Sequence, residues 1–394
     1  MTERELFFRY LGLPSHRPVG LEIDHAEGIY IYDKSGKRYL DLVSGISVSN
    51  LGHRHPAIIS AIEDQIKKYL YLNVYGEFIQ SPQVKLAQKL VSVLPDSLDS
   101  VFLVNSGSEA IEGAMKLAKR YTGRTEVVAF HKAYHGSTQG ALSILGNETL
   151  KNAFRPLIPD IRFLEFNNFR DLEKISVKTA CVVAETIQAE AGIILPEQGF
   201  LESLHARCQE TGTLLIIDDV QMGFGRTGKL FSFEHFNFFP DILVLAKAMG
   251  GGMPVGAFIA SKKIMDALAY HPEFGHITTF GGHPVCCAAA LANLEVLLSG
   301  DLIFQAEKKG AILEEQVSSH PMIKNIRRKG LILGIEINDT GKRDKLTEIL
   351  LKNGIIIDWF LFHPCTFRIA PPLTITEEEC RCASDFVLKS LNEM

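Results

Sequence analysis

The middle of the chain repeats one pattern, a short apolar run followed by an amphipathic stretch. The apolar runs are residues 100–104, 126–130, 180–184, 214–217, 242–245 and 257–260. Between the first two, Ile111, Ala114, Met115 and Ala118 have the spacing of one helix face. Such alternation is typical of a mainly parallel sheet flanked by helices. We therefore predict an α/β fold with a large domain of this kind.

The two ends of the chain have a different pattern. Residues 20–43 read as hairpin strands around a turn at residues 34–36. After about residue 295, a long helix precedes strands at 331–337 and 366–370, and a capping box at Thr376 starts a last helix. We expect a small α+β domain built from both termini. It would comprise residues 1–50 and 295–394, with the large domain at 51–294.

Composition and charge exclude several classes of function. With 46% hydrophobic residues, 22% charged residues and a net charge of −5, the chain lacks the basic surface of a nucleic-acid or anionic-lipid binder. It has neither a run of about 20 apolar residues that could span a membrane nor the pattern of a secretory signal. The seven cysteines include no CxxC pair and no metal-ligand spacing. We expect a cytoplasmic protein with reduced thiols, no metal, and no nucleic-acid or membrane partner.

Chemically distinctive residues follow almost every central run. They are NSGSEA at 105–110, YHG at 134–136, ETIQAE at 185–190, DDVQ at 218–221, and Lys247. Ligands of an open parallel sheet bind beyond the carboxyl ends of its strands. We therefore predict that these five loops converge on one site.

The first of these loops has the features of a phosphate site. Gly107 lets the backbone approach a ligand, and the N–H groups of Gly107 and Ser108 would face an anion at a helix N-terminus. Ser106 and Glu109 match a capping box, so a plain capped helix explains these residues equally well. Since no Walker-type lysine follows, the loop favours a lone phosphate ester over a nucleoside triphosphate.

Asp218 and Lys247 each end an apolar strand, where a charge needs a reason to be buried. A protonated aromatic nitrogen suits Asp218, because an adjacent carboxylate raises the pKa of such a nitrogen by about 1–3 units. A structural aspartate or a metal ligand is the alternative. For Lys247, desolvation would lower the pKa of the ammonium group, as a Schiff-base amine requires. The alternative there is a lysine whose head reaches solvent.

Taken in order, these motifs resemble the class III aminotransferases of pyridoxal-phosphate (PLP) fold type I, closest to the acetylornithine and ornithine aminotransferase group. The resemblance rests on GISVSNLGH at 45–53, DDVQMGFGRTG at 218–228, LAKAMGGGMPVGA at 245–257, TTFGGHP at 278–284 and FRIAPPLTI at 367–375. It implies the fold of that family, PLP as cofactor, and amino-group transfer as the activity.

The resemblance also implies a role for each cofactor residue. Lys247 would hold PLP as a Schiff base and shuttle protons, while Asp218 would pair with the pyridine nitrogen. The other implied contacts are Gly107 and Ser108 at the phosphate, Val220 and Tyr134 on the two ring faces, Gln221 at the ring hydroxyl, Glu185 nearby, and Thr279 reaching the phosphate from a neighbouring subunit. Such sharing requires at least a homodimer.

For the substrate, the resemblance implies that Arg368 grips a carboxylate and that Glu190 neutralises Arg368 when the amine end of a donor enters. A permanent salt bridge is the alternative for this pair. Tyr75 would line the partner's substrate mouth. Ser137 stands where the ornithine and acetylornithine enzymes carry an arginine for a distal carboxylate, so the donor stays open.

The leading hypothesis is ping-pong transamination from an ω-amine donor of the acetylornithine or ornithine type to 2-oxoglutarate. One alternative is another class III activity on the same site: 4-aminobutyrate, lysine or β-alanine aminotransfer, decarboxylation, or an aminomutase reaction. A non-catalytic binding protein that keeps the fold is a hypothesis of a different class.

Overall fold

The computed structural model describes residues 1–270 and 272–394. The strands of this part are β1 (Ile23–Glu27), β2 (Tyr30–Asp33), β3 (Arg38–Asp41), β4 (Ser100–Val104), β5 (Glu126–Phe130), β6 (Ile161–Leu164), β7 (Thr179–Glu185), β8 (Leu214–Asp218), β9 (Ile242–Leu245), β10 (Gly256–Ala260), β11 (Ile323–Lys329), β12 (Ile332–Ile337), β13 (Ile355–Ile356), β14 (Asp358–Phe360) and β15 (His363–Ile369). Its helices are α1 (Glu3–Tyr10), α2 (Ser44–Ser47), α3 (Pro56–Ile66), α4 (Ser81–Val91), α5 (Gly107–Thr122), α6 (Gln139–Ser143), α7 (Glu148–Lys151), α8 (Phe200–Thr211), α9 (Lys262–Met265), α10 (Pro284–Ser299), α11 (Leu302–Ser318), α12 (Thr340–Lys352) and α13 (Glu377–Asn392).

The central sheet has the order β4-β10-β9-β8-β7-β5-β6. The pairs from β9 to β6 are parallel, whereas β10 runs antiparallel to both of its neighbours. Strands β7 to β10 are buried along their whole length. Strands covered on both faces read as continuous apolar runs, which is why the six runs locate six of these strands. The predicted mainly parallel α/β fold is confirmed.

The reversed strand β10 lies between β4 and β9 and begins at the edge of the sheet where the parallel strands end. The carboxyl ends of β5, β7, β8 and β9 lie at that edge, and so does that of β4, because β4 and β9 are both antiparallel to β10. For the same reason, residues 253–255, which precede β10, arrive at the edge from the other direction. Loops from five parallel strands and one antiparallel strand therefore meet there.

Two four-stranded sheets are built from the ends of the chain, in the orders β1-β2-β3-β13 and β11-β12-β15-β14. The first joins the predicted N-terminal hairpin, with its turn at residues 34–36, to a strand from beyond residue 350. The capping box at Thr376 is present at the start of α13. The predicted domain boundary at residue 294 falls inside α10, and the division into domains stays a prediction.

Helix α10 packs against α3 and α4, and α11 packs against α13. Among the described residues, no single helix is long and apolar enough to cross a membrane. Taken together, α10 and α11, which meet at a bend of 73°, are long and apolar enough for a bent membrane span, by length and composition only.

The fully buried Arg226 ties the three parts of the chain together. Its Nη1 donates to the carbonyl oxygens of Leu331 at 2.9 Å and Pro371 at 2.6 Å. Its Nη2 donates to Asn50 Oδ1 at 2.5 Å and Ser44 Oγ at 3.2 Å. One guanidinium thus satisfies acceptors from the N-terminal and the C-terminal segments at the border of the central domain.

We expect Arg226→Met to lower the free energy of unfolding by about 3 kcal/mol or more, because several buried acceptors lose their donor at about 1–3 kcal/mol each. Lys229→Met removes a cation from an exposed position of the same loop and is the matched control. Urea unfolding of the two variants measures the difference. An unfolding midpoint of Arg226→Met equal to that of the control would contradict this role.

Candidate active site

A cavity of about 400 Å³ opens at the carboxyl edge of the central sheet. Its walls come from the loops that the sequence singled out, together with the segment before β10. Predicted residues that line it are Gly107, Ser108, Tyr134, Glu185, Asp218, Val220, Gln221 and Lys247. The predicted convergence of separate loops on one site is therefore what the structure shows.

Lys247 projects into this cavity directly after β9. Its Nζ donates to Gln221 Oε1 at 3.2 Å. Burial disfavours the ammonium form and lowers the pKa of Lys247 to about 8, although the negative charges of Glu190 and Asp218 oppose this effect. Much more neutral amine is therefore available near neutral pH than an ordinary lysine provides, which favours a nucleophilic role.

Asp218 is held by a buried histidine. Its Oδ2 lies 2.7 Å from His135 Nδ1, and its Oδ1 accepts from the backbone N–H of Val220 at 3.1 Å. Burial alone would lower the pKa of His135, but the hydrogen bond and charge of Asp218 outweigh burial and raise that pKa. This contact between His135 and Asp218 was not predicted from the sequence.

Two further buried acids, Glu185 and Asp219, lie near Asp218. Burial raises the pKa of Glu185 to about 7, with a contribution from the charge of Asp218. Glu185 accepts hydrogen bonds from the backbone N–H groups of Ala189 at 3.0 Å and Tyr134 at 3.3 Å. Burial also raises the pKa of Asp219 to about 7, although Asp219 accepts hydrogen bonds from the hydroxyl and N–H of Ser232. Of the two adjacent aspartates, Asp218 is the one that lines the cavity.

The N-terminus of α5 forms one wall of the cavity. Ser106 caps it by accepting from Glu109 N at 3.2 Å, but the Glu109 carboxylate accepts from Asn105 N at 2.8 Å. The predicted capping box is therefore only half formed. A Cβ atom at Gly107 would lie 3.1 Å from the Val220 side chain, so a larger residue would require Val220 to shift. N–H groups of a first helical turn have no partner within the helix and attract anions.

Arg368 and Glu190 form a buried ion pair beside the cavity. Arg368 Nη2 lies 2.5 Å from Glu190 Oε1, and its Nη1 lies 3.3 Å from Asp358 Oδ2. The guanidinium also lies over the ring of Phe360, 4.4 Å from the ring centre. The structure therefore brings the two predicted substrate residues together, with Arg368 neutralised by Glu190.

Besides Arg368 and Glu190, three further predicted site residues do not line this cavity. Ser137 is exposed, with its Oγ 3.2 Å from the Tyr134 hydroxyl. Tyr75 donates from its hydroxyl to the Val101 carbonyl at 3.3 Å, and its backbone N–H donates to the carbonyl of Thr278, the neighbour of the exposed Thr279. Tyr75 is thus half-buried and hydrogen-bonded within its own chain, Thr279 is exposed, and neither lines the cavity of that chain.

Sequence reasoning missed the N-terminal segment of the site. Val48 lines the cavity. It follows a turn in which Ser44, Gly45, Ile46 and Ser47 all have φ between 48° and 62°. A left-handed conformation costs about 1–2 kcal/mol for an L-residue such as Ile46. Gly45 is the single signal of this turn in the sequence.

Comparison with known proteins decides the family. The model of the family Aminotransferase class-III matches residues 13–391. The chain belongs to the class III aminotransferases. It is therefore an enzyme that transfers amino groups, as the resemblance of its motifs predicted. Class III aminotransferases depend on PLP.

Three relatives show how far the similarity extends. The chain is 38% identical over 382 residues, 96% of both chains, to an acetylornithine aminotransferase from Methanopyrus kandleri. The crystal structure of the acetylornithine aminotransferase from Elizabethkingia anophelis is similar with a TM-score of 0.87 and 33% identity, over 99% of this chain and 98% of that one. A structure of the ornithine aminotransferase from Toxoplasma gondii, with partial occupancy of PLP at its active site, has a TM-score of 0.91 and 30% identity, over 99% of this chain and 93% of that one.

The lowered pKa of Lys247 predicts a pH profile for its reactivity in the protein without cofactor. The neutral amine is the form that reacts with acetic anhydride. Its labelling rate should therefore reach half of its maximum near pH 8, rather than near the ordinary lysine value of 10.5. Mass spectrometry of the labelled peptides measures the rate, with the exposed Lys262 as reference in the same sample. Identical pH profiles for the two lysines would contradict the effect of burial.

Proposed function

We propose that this enzyme catalyses PLP-dependent transamination from an ω-amine donor of the acetylornithine or ornithine type to 2-oxoglutarate, by a ping-pong mechanism. The main support is the half-buried lysine with a lowered pKa in one cavity with the buried Asp218. PLP, when bound, would supply an aldehyde for the Lys247 amine and a ring that withdraws electrons from the substrate's reacting carbon.

The polar groups of the cavity fit this cofactor. The Nε2 atom of Gln221 is buried without a hydrogen-bond partner among the described residues, which suits a ring hydroxyl. The N–H groups of Gly107 and Ser108, in the first turn of α5, suit a phosphate. Asp218, fixed by His135, suits a protonated pyridine nitrogen.

The remaining contacts to the ring are apolar or aromatic. Val220 and Tyr134 line the cavity and would cover the two faces of the ring, while Glu185 supports the loop of Tyr134 through the backbone N–H. Lys247 would act in proton transfer, accepting the proton that leaves the donor's reacting carbon and later releasing it. Its lowered pKa suits both directions of that transfer.

Arg368 and Glu190 give one pocket two modes of recognition. When an ω-amine enters, its reacting carbon carries no carboxylate, and Glu190 keeps Arg368 neutralised as in the present structure. When 2-oxoglutarate enters, its carboxylate takes the place of Glu190 on the guanidinium. Without either partner, the buried Arg368 would keep only the longer contact with Asp358 at 3.3 Å, which is unfavourable for a buried charge, so the exchange keeps a close partner on Arg368 throughout the cycle.

We further propose a homodimer with shared active sites. Exposed apolar side chains flank Tyr75 and Thr279 in the sequence, namely Leu72, Val74, Phe78, Ile79, Ile277 and Phe280. A large exposed apolar patch of this kind marks a protein interface. In a symmetric dimer, this surface would bring Thr279 to the phosphate and Tyr75 to the substrate mouth of the partner.

A donor screen tests the proposed reaction. The purified enzyme with PLP and 2-oxoglutarate is given acetylornithine, ornithine, lysine, 4-aminobutyrate or β-alanine, and the formation of glutamate is measured. We expect glutamate only when a donor is added, with the acetylornithine and ornithine type preferred. Isomerisation of a substrate without any 2-oxo acid would instead indicate an aminomutase and overturn the proposal.

Position 137 is expected to select the donor. Ser137→Arg should raise kcat/KM by about tenfold for donors that carry a distal carboxylate, as a charge-assisted hydrogen bond does. The matched control is Thr138→Arg, which adds the same charge at the neighbouring exposed position. If Ser137→Arg leaves the order of donors as it is in the wild type, position 137 does not select the donor.

A further inference from the structure

The turn that carries Glu190, residues 188–194, has a strained backbone. At its base, Gln188 and Ile194 exchange two backbone hydrogen bonds, both of 3.0 Å. At its end, Gly192 and Ile193 have φ of 96° and 60°. Because a β-branched residue such as Ile193 rarely adopts a left-handed conformation, contacts from the surrounding structure must hold the turn in this shape.

The turn lies over a single row of residues in the sheet β11-β12-β15-β14. The register pairs Arg327 with Gly334, Gly334 with Arg368, and Arg368 with Asp358. Directly paired residues point to the same face of a sheet. A Cβ atom at Gly334 would lie 2.8 Å from the carbonyl oxygen of Gly192, so the glycine in the middle of the row leaves room for the turn.

The two arginines of this row hold different parts of the turn. Arg327 Nε donates to the carbonyl oxygen of Gly192 at 2.6 Å, while its Nη1 is paired with Glu336 at 2.8 Å. Arg368 holds the Glu190 carboxylate at 2.5 Å. Arg327 therefore fixes the backbone of the turn, and Arg368 binds the side chain that the proposed exchange would move.

We propose that Arg327 is a positioning residue that fixes the turn. Because the turn is fixed, the Glu190 carboxylate returns to Arg368 whenever no substrate carboxylate is bound. This inference rests on the proposed exchange at Arg368. The carboxylate then swings about its side-chain bonds while its Cα stays in place. Without Arg327 the whole turn moves, and Glu190 neutralises Arg368 less often. The donor half-reaction depends on that neutralisation. The 2-oxoglutarate half-reaction does not, because the substrate carboxylate replaces Glu190.

Single-turnover rates of the two half-reactions test this role in Arg327→Met. We expect kcat/KM for the amine donor to fall about tenfold, the effect of losing a hydrogen bond to a charged group, while the value for 2-oxoglutarate is unchanged or rises. The matched control is Arg328→Met, at the next position of the same strand, where the guanidinium pairs with Glu307 and Glu314, both at 2.7 Å. Its two half-reactions should keep the wild-type ratio.

Hydrogen exchange of the protein without cofactor gives a second readout that does not depend on activity. Backbone amides of residues 189–194 should exchange faster in Arg327→Met and at the wild-type rate in Arg328→Met. If Arg327→Met does not fold, Gly334→Ala, whose Cβ would push on the Gly192 carbonyl, should produce the same asymmetry between half-reactions. Equal losses in both half-reactions, or unchanged amide exchange, would overturn the role of Arg327.

Glu190→Gln separates this inference from the proposed function. If Glu190→Gln slows the donor half-reaction selectively but Arg327→Met does not, the exchange at Arg368 stands and the role of Arg327 fails. If Glu190→Gln affects both half-reactions equally, the exchange itself fails, and the role of Arg327 fails with it.

Discussion

The site depends on charged groups that are held away from water at the edge of the central sheet. Asp218 and Lys247 lie at or just beyond the ends of adjacent strands that are buried on both faces. An unpaired ion in such a place is unfavourable, so each group is paired or has a shifted pKa. Asp218 is paired with His135, whereas burial lowers the pKa of Lys247 to about 8 and raises that of Glu185 to about 7. The nucleophilic character of the lysine therefore follows mainly from where the fold places it.

Arg368, the proposed carboxylate-binding residue, and Val48, which lines the cavity, come from outside the central sheet. Arg368 comes from a sheet formed entirely after residue 320, and Val48 comes from a left-handed turn near the N-terminus. Arg226 holds both segments against the central domain. The residues proposed to hold the cofactor thus come mostly from loops of one sheet, while Arg368 and Val48 reach the site only when the two ends of the chain assemble around that sheet.

This division explains what could be predicted from the sequence. The central strands were predictable because burial on both faces leaves apolar runs, and the residues after them were predictable because parallel strands end at one edge. Strand β6 was missed because it is an edge strand, partly exposed, with a polar residue in a short sequence. The contact between His135 and Asp218 joins loops 83 positions apart, and no local pattern encodes it. The row of Arg327, Gly334 and Arg368 likewise depends on strand register.

Borohydride reduction of the PLP-loaded protein tests the central claim most directly. Reduction fixes the cofactor to the amine that holds it, and peptide mapping by mass spectrometry identifies that lysine. The geometry of the cavity predicts one modified residue, Lys247. Modification of another lysine instead, such as Lys151, which is buried elsewhere with its amine bound to the Leu145 carbonyl, would contradict the account.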